Sequence, residues 1–420
     1  MMVRKPRGVA DILPGEVERW QRLEEIIREL TRVYGYQEIR TPVFEFTELF
    51  QRGVGEETEI VAKEMYTFLD RRGRSLSLRP EGTAPVVRAF IENQLHTWPQ
   101  PVKLYYVGPM FRYDRPQAGR WRQFHQFGAE VFGSADPALD VEVIALLMDF
   151  YARAGLQELI LELNSVGCPD CRGGLVAALQ THFASRRKDL CRNCRERLER
   201  NPLRLLDCKE ENCRSLMTEA PVPLDFLCAT CVARFTAVQG GLAAQGIRYV
   251  VNPRLVRGLD YYTGTAFEVL VPGIGAQSAI GGGGRYDNLV ETCGGPPVPG
   301  VGFAVGMERT LLALELKGVS LSQAPQLEVF VAAAGEGVEE KIPVVLRRLR
   351  EAGIAADRDY SSRGLKGQLK QAHRRGAKQV VILGEEELDR GNVAVRMMDT
   401  GMQVEVPEAE LVSWLKAQKA

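Results

Sequence analysis

Eight cysteines and a scattered set of arginines, acids and tyrosines carry the chemistry that this sequence can offer. Cys168-Pro-Asp-Cys171, Cys191-Arg-Asn-Cys194 and Cys228-Ala-Thr-Cys231 are three C-x2-C pairs, and Cys208 and Cys213 form a fourth pair with four residues between them. A C-x2-C turn points two thiolates at one centre, and two such turns complete a tetrahedral four-sulfur site. Structural zinc is the expected occupant. Reduced thiols, disulfides and an iron–sulfur cluster are the alternatives, and spacing does not say which pairs share a metal.

A second set lies on a predicted strand pair. Val102 to Phe111 and Gln123 to Phe132 read as strands around a polar loop, Asp114 to Arg120. Arg112 stands at the end of the first strand. Gln126 and Glu130, four residues apart on the second, share one face. A guanidinium and a carboxylate on one sheet surface suit a ligand with both phosphate and amine; a solvated hairpin with surface ion pairs is the alternative. The segment RGLDYYTGTAFEV, Arg257 to Val269, gathers Arg257, Asp260, Tyr261 and Tyr262 ahead of a strand. The run GGGGRYD, Gly281 to Asp287, allows backbone to approach a ligand closely. It is neither a P-loop nor a G-x-G-x-x-G turn. In GVGFAVGMERTLL, Gly300 to Leu312, Glu308 and Arg309 sit just inside a helix, where a cation could meet phosphate.

These residues need elements to hold them. Val17, Trp20, Leu23, Ile27 and Leu30 recur at helical spacing, Gly35 ends that helix, and a short strand, Gln37 to Arg40, leads to Pro42. Arg52 to Glu64 reads as a surface loop entering a hairpin. Ser134-Ala-Asp136-Pro137 starts a helix that runs to about Ala154. Residues 164–245 hold the cysteine pairs and many arginines, and they interrupt the other segments as an insert would. After a Ser, Gln, Gly and Pro linker, strands (Leu327 to Val331, Gln379 to Leu383, Val393 to Met397) alternate with helices (Glu340 to Glu351, Gly364 to Arg375, Pro407 to Lys416), which predicts a small α/β domain. In its second helix Leu365, Leu369 and Ala372 form one face. Lys366, Lys370 and Arg374 form another, with Arg363 and Arg375 nearby and no acid among them. Such a stripe suits phosphate.

Totals narrow the class. The 420 residues are 45% hydrophobic and 26% charged, and Lys plus Arg equals Asp plus Glu at 54 each. A net charge near zero excludes a uniformly basic nucleic-acid coat and leaves room for a local basic patch. The N-terminus has no apolar run behind its basic residues, and no stretch approaches the roughly 18 apolar residues of a membrane span. A cytoplasmic protein without a membrane partner is expected. In that compartment clustered cysteines point to metal before disulfides.

Taken in order, five segments are similar to class II aminoacyl-tRNA synthetases and, within that class, to histidyl-tRNA synthetases of the bacterial type, over nearly the whole chain. YGYQEIRTPVFE, Tyr34 to Glu45, resembles motif 1, whose proline (here Pro42) lies at a dimer interface. MFRYDRPQAGRWRQFHQFGAE, Met110 to Glu130, resembles the motif 2 arginine hairpin, and GFAVGMER, Gly302 to Arg309, resembles motif 3. LVRGLDYYTGTAFE, Leu255 to Glu268, is similar to the peptide that marks the histidine enzyme, and LRPEGT, Leu78 to Thr83, also fits.

The resemblance implies roles. Glu81, Thr83 and Gln126 would hold the α-amino group of histidine, Glu130 and Tyr262 its imidazole, and Tyr261 and Tyr286 would line the pocket. Arg112 and Arg257 would flank the α-phosphate of ATP as the catalytic residues, with Arg309 at the γ-phosphate. The family usually has Glu two positions after the motif 2 arginine; Asp114, one methylene shorter, stands here among the ATP-binding residues. Histidine, ATP with Mg²⁺ and tRNA(His) are the implied partners, and a homodimer the implied assembly. Arg363, Lys366, Lys370, Arg374 and Arg375 would meet the RNA. The implied fold is α/β, with an α+β catalytic domain. Residues 1–163 and 246–318 would form an antiparallel-sheet class II core, 164–245 an inserted domain, 319–326 a linker and 327–420 an anticodon-binding α/β domain. Two rivals remain: the synthetase-like regulatory subunit of ATP phosphoribosyltransferase, which the retained Arg257, Arg309 and C-terminal domain oppose, and a class II enzyme for another amino acid, which the Arg257 to Glu268 segment opposes. The cysteines lie outside the family's shared motifs. No candidate catalytic residue lies between Cys168 and Cys231, so loss of metal is expected to unfold the insert and spare adenylate formation.

Overall fold

Alternation along one central strand decides the architecture. In Gln123–Phe132, Phe127, Ala129 and Val131 fall on one face and Gln126, Gly128 and Glu130 on the other. The computed structural model describes residues 2–117, 119–273, 278–321, 327–335 and 337–418. It divides into two compact units, Met1–Leu321 and Ser322–Ala420. Residues 322–326 of the expected linker lie outside the described residues.

In the first unit, eight strands among the described residues form one sheet. Their order is Gln37–Glu38, Val102–Phe111, Gln123–Phe132, Gly300–Gly306, Ala279–Arg285, Thr265–Leu270, Ile160–Ser165 and Val250–Val251. The six inner strands pair antiparallel, and a short parallel strand closes each edge. On the apolar face, Phe127, Phe303 and Val269 pack against the helices Val17–Val33 and Pro137–Ala154 through Leu23, Ile27, Ile144 and Phe150. The other face carries the polar residues.

Helix ends follow the local chemistry. Asp136 caps Pro137–Ala154 by accepting from the Ala138 amide at 2.9 Å, and Gly155, at φ +93°, ends it. Arg285 ties the glycine-rich strand to that helix. Its guanidinium donates to Asp140 at 3.1 Å and to Asp287 at 3.0 Å, and the side chains of Arg285 and Asp140 are only 3% and 1% exposed.

One expectation is corrected. Arg52 to Glu64 is not a surface loop: Gln51–Gly55 and Ile60–Glu64 are helical turns that bury Val54 and Ile60 against Phe50 and Ala84. Apolar positions spaced by wide glycine and charge runs hid this small cluster. The segment 164–245 also has more core than its arginines suggest. Leu175, Leu179, Phe183 and Leu198, from its helices Pro169–Ala184 and Arg192–Arg200, are buried in one cluster with Val86, Phe90 and Tyr262.

The second unit has a five-stranded sheet ordered Ala356–Arg358, Val329–Ala334, Gln379–Gly384, Asn392–Met397 and Gln403–Pro407, parallel on one side and antiparallel on the other. Leu365, Leu369 and Ala372 of Leu365–Arg374 pack on it as their spacing predicts. Among the described residues, no single helix is long and apolar enough to cross a membrane.

Removing Asp140 leaves a buried guanidinium short of its main partner. Asp140→Ala should therefore lower the unfolding free energy by about 3–5 kcal/mol, read by denaturant titration; a loss within experimental error of zero would contradict the role given to this pair.

Candidate active site

The polar face of the sheet has been cleared of side chains to make a floor. Gly302 pairs with Glu130 across the strands, and a Cβ on Gly302 would stand 1.9 Å from Glu130 Oε2. A Cβ on Gly282 would stand 2.8 Å from an Arg257 nitrogen, so the glycine run is the surface on which Arg257 lies. Above this floor is a cavity of about 210 Å³.

Arginines line one part of it. Arg112 donates from Nε to the Pro80 carbonyl at 2.8 Å and lies over the Phe124 ring. Arg309 donates to the Gly119 and Ala279 carbonyls at 2.9 and 3.1 Å, joining the hairpin tip to the floor strand. Arg257 pairs with Glu268 at 2.5 Å. Burial lowers the Arg309 pKa, and the charges of Arg112 and Arg120 lower it further. Such a crowd of cations suits a polyanion. Among the described residues, Arg257 Nε and Gln126 Oε1 are buried without a hydrogen-bond partner, as expected of groups aimed at a ligand.

The rest of the cavity is aromatic and hydroxylic. Thr83, Gln126, Tyr261, Tyr262 and Tyr286 line it together with Glu81. Both Glu81 oxygens accept backbone amides, from Thr83 at 2.7 Å and Ala84 at 2.8 Å, at the start of the helix Thr83–Glu92. Asp114 lines the cavity too, where its carboxylate holds Arg120 at 3.1 Å.

Glu130 is the exception among the candidate residues of this pocket. It is fully buried and lies behind the wall, not on it. Thr83 Oγ1 donates to its Oε1 at 2.7 Å, the Tyr286 hydroxyl donates to Oε2, and the Tyr106 hydroxyl is 3.4 Å from Oε1. Burial pushes the Glu130 carboxyl up to about 8, and the Glu81 charge adds to this against the opposing hydroxyl donors. Burial therefore favours the protonated form of this carboxyl.

Two participants, Tyr106 and Arg79, were not foreseen, nor was the contact that His125, alternating with Gln126 along its strand, makes with Glu308. Tyr106 sits beneath the pocket opposite Gly128, which has no side chain to obstruct its ring. His125 donates its amide to Glu308 at 2.9 Å and shares a ring hydrogen bond with it at the same distance, fixing the start of the helix that carries Arg309. Arg79, buried, donates to the carbonyls of Pro109 at 2.9 Å and Pro42 at 3.3 Å, linking the proline segment to the hairpin. An aromatic facing a glycine across a predicted hairpin was the available signal for Tyr106; the other two depend on tertiary contacts.

The remaining candidates fall in other places. Pro42 is exposed, beside a three-stranded sheet that exposes Phe44, Phe46, Phe68 and Leu69. In the second unit, Lys366, Lys370 and Arg374 are exposed along one helix. The stripe is not free of acid, however: Arg363 pairs with Asp359 at 2.7 Å and Arg375 pairs with Asp357, both acids coming from a neighbouring strand and its extension. The eight cysteines form two groups, Cys168, Cys171, Cys228 and Cys231, and Cys191, Cys194, Cys208 and Cys213; within each the sulfurs all lie within 4.8 Å of one another.

An antiparallel sheet bearing an arginine hairpin, with a second arginine on the helix that follows a glycine-rich strand, is the core of a class II aminoacyl-tRNA synthetase. Residues 8–310 match the histidyl-tRNA synthetase family and residues 328–418 an anticodon binding domain. The chain is 60% identical over 418 residues to the histidine–tRNA ligase of Desulforudis audaxviator, with 99% of each covered. It is 58% identical over 418 residues to that of Desulforamulus reducens, with 100% of each covered. It is also similar to the solved apo histidyl-tRNA synthetase of S. aureus, at a TM-score of 0.85 and 41% identity, over 99% of this chain and 100% of that one. The chain belongs to the histidyl-tRNA synthetase family.

The Glu130 environment has a thermodynamic consequence. Its carboxyl titrates near 4.5 when unperturbed and near 8 when folded. Between those values the unfolded chain holds fewer protons, so the stability this group contributes is complete below pH 4.5 and is lost as pH rises through 8. Glu130→Gln cannot ionise. Its unfolding free energy relative to the native protein should therefore rise by about 4 kcal/mol between pH 4.5 and 8; parallel stability–pH curves would refute the assignment.

Proposed function

We infer that this protein is a histidine–tRNA ligase that activates histidine with ATP to histidyl-adenylate and pyrophosphate, then transfers histidine to the 3′ end of its tRNA. The observation that carries the site assignment is the junction, in one cavity, of three guanidinium groups with a wall of tyrosines and hydroxyls. The histidine carboxylate attacks the α-phosphorus in line with the departing pyrophosphate. Negative charge gathers on the phosphorus oxygens, where Arg112 and Arg257 offset it from opposite sides, and Arg309 holds the γ-phosphate. Arg257 suits this role because Gly282 lets it lie flat on the sheet and Glu268 fixes its direction. Mg²⁺ arriving on the triphosphate would find oxygen donors in Glu268 and Glu308 and would neutralise phosphate charge. Asp114, held by Arg120, borders the adenine region.

Glu81, Thr83 and Gln126 receive the α-amino group; the unpaired Gln126 oxygen supports this reading. Tyr262 and Glu130 read the imidazole, with Tyr261 and Tyr286 around it. Glu130 lies behind Thr83 and Tyr286, so a ring N–H reaches it by taking the place of one hydroxyl donor. A site built to pair both ring nitrogens rejects amino acids lacking them, by roughly 10⁴-fold.

Residues 1–163 and 246–318 act as the catalytic core around the insert 164–245, and 327–420 read the anticodon after the linker 319–326. Of the five cations in the stripe, Lys366, Lys370 and Arg374 have no ion pair among the described residues, and they replace the full stripe as the leading RNA contacts. The exposed aromatic sheet beside Pro42 supports a homodimer. The two cysteine groups are suited to structural zinc, and the cytoplasm is the place of work.

The test is ATP–pyrophosphate exchange with each of the twenty amino acids. Exchange should depend on histidine, and Arg257→Ala should slow single-turnover adenylate formation by about a hundredfold or more. Exchange driven by another amino acid, or an unchanged rate in the variant, would sink the assignment.

A further inference from the structure

The peptide that carries Arg257, Tyr261 and Tyr262 does not hold itself. Three side chains from the cysteine-bearing insert grip it. Arg172 donates to the Tyr262 carbonyl at 2.8 Å, Arg204 donates to the Arg257 carbonyl at 3.0 Å, and Asn201 donates to Asp260 at 2.8 Å. The backbone adds two links, from Val166 to Gly264 at 2.8 Å and from Gly264 to Gly167 at 2.9 Å.

Each gripping residue lies beside a group of four cysteines. Arg172 follows Cys171, whose sulfur accepts the Cys228 amide at 3.1 Å. This first group joins the start of Pro169–Ala184 to the start of Ala229–Ala244, the helices by which the chain enters and leaves the insert. Asn201 and Arg204 lie between Cys194 and Cys208, inside the loop that the second group closes. There the Cys213 sulfur accepts the Cys191 amide at 3.2 Å, and the Cys191 and Cys208 sulfurs are 3.9 Å apart. Four sulfurs around zinc at about 2.3 Å stand roughly 3.8 Å from one another, and amide donors to sulfur stabilise thiolates. All eight thiols are free.

We propose that the insert holds two tetrathiolate zinc sites, one on Cys168, Cys171, Cys228 and Cys231 and one on Cys191, Cys194, Cys208 and Cys213, which together brace the Arg257–Tyr262 peptide through Arg172, Asn201 and Arg204. A closed tetrahedral array of four thiolates suits zinc, with iron as its competitor, and such a site leaves no position for substrate. Its effect on the reaction is positional. A guanidinium displaced by about 1 Å from its working place loses on the order of a hundredfold in rate. The expectation that metal loss spares adenylate formation rested on the position of the catalytic residues in the chain; the hydrogen bonds from the insert to their backbone remove its basis.

The inference rests on the reading of Arg257 and Tyr262 as parts of the histidine and ATP site, and the experiment separates the two. Full-length protein purified without chelator is first assayed for histidine-dependent exchange. Failure there overturns the functional reading whatever the metal content. The same protein is then analysed for metal and thiols. Two equivalents of zinc per chain, with the eight clustered thiols unreactive until denaturation, support the sites; less than a tenth of an equivalent with thiols that titrate freely, or iron in place of zinc, overturns them. Cys228→Ser should retain one zinc and raise the KM for histidine.

Should that variant fail to fold, Arg172→Ala and Arg204→Ala leave both cysteine groups intact and test the brace. Both should keep two zinc ions. Arg172→Ala should raise the KM for histidine about tenfold with kcat little changed, and Arg204→Ala should lower the single-turnover adenylation rate about tenfold with histidine KM little changed. Partial recovery in Arg172→Lys, which restores one donor, supports a positioning role. Wild-type KM and rate in both alanine variants would overturn the brace.

Discussion

A carboxyl group buried in the middle of an antiparallel sheet is the constraint around which this molecule is arranged. Glu130 has no exposed surface, and its oxygens are met by the hydroxyls of Thr83 and Tyr286, with Tyr106 close by. Desolvating a carboxylate is expensive, so the group either finds donors or takes a proton. Here both tendencies act. The opposing strand has to be glycine at 302, and Tyr106 has to face glycine at 128, since side chains at those places would occupy the space of the carboxyl and the ring. The helix that begins at Thr83 is fixed by Glu81 at its first amides, which sets the hydroxyl that Glu130 needs. Burial favours the neutral carboxyl, and the three hydroxyls around it oppose that by favouring the carboxylate.

The opposite charge is managed by the same floor. Glycines at 282 and 302 leave flat backbone, and Arg257 lies against it. Arg112 and Arg309 are anchored through their Nε groups to carbonyls and remain cationic in a crowded space. The other sheet face is filled with interlocking aromatic and aliphatic side chains. That packing keeps the strands from shifting when the polar face is charged. Rigidity on one side thus permits a pre-set electrostatic site on the other.

Much of this was legible in the residues. The strand pair around Asp114 to Arg120, the helix start at Asp136-Pro137 and the apolar face of Leu365, Leu369 and Ala372 follow from alternation, capping and helical period, and each is found. Arg112, Arg257 and Arg309 come from segments nearly two hundred residues apart, and only the resemblance to a family brought them into one site before the fold was known. What stayed hidden depends on contacts across space. Asp357 and Asp359 neutralise two arginines of the basic stripe from a strand that the hydrophobic pattern did not mark. The pairing of cysteines into two groups of four and the grip of Arg172 and Arg204 on the Arg257–Tyr262 peptide needed the path of the insert. The placement of Glu130 behind the cavity wall needed the rotamers of Thr83 and Tyr286.

The charge state of Glu130 sets the electrostatics of the polar face and is open to measurement. A direct reading comes from carbon NMR of protein labelled at the glutamate carboxyl carbon, with the Glu130 signal assigned by its absence in Glu130→Gln. In the empty enzyme the titration midpoint should lie near 8. A midpoint at the ordinary glutamate value of about 4.5 would contradict the rise that burial in the sheet gives this carboxyl.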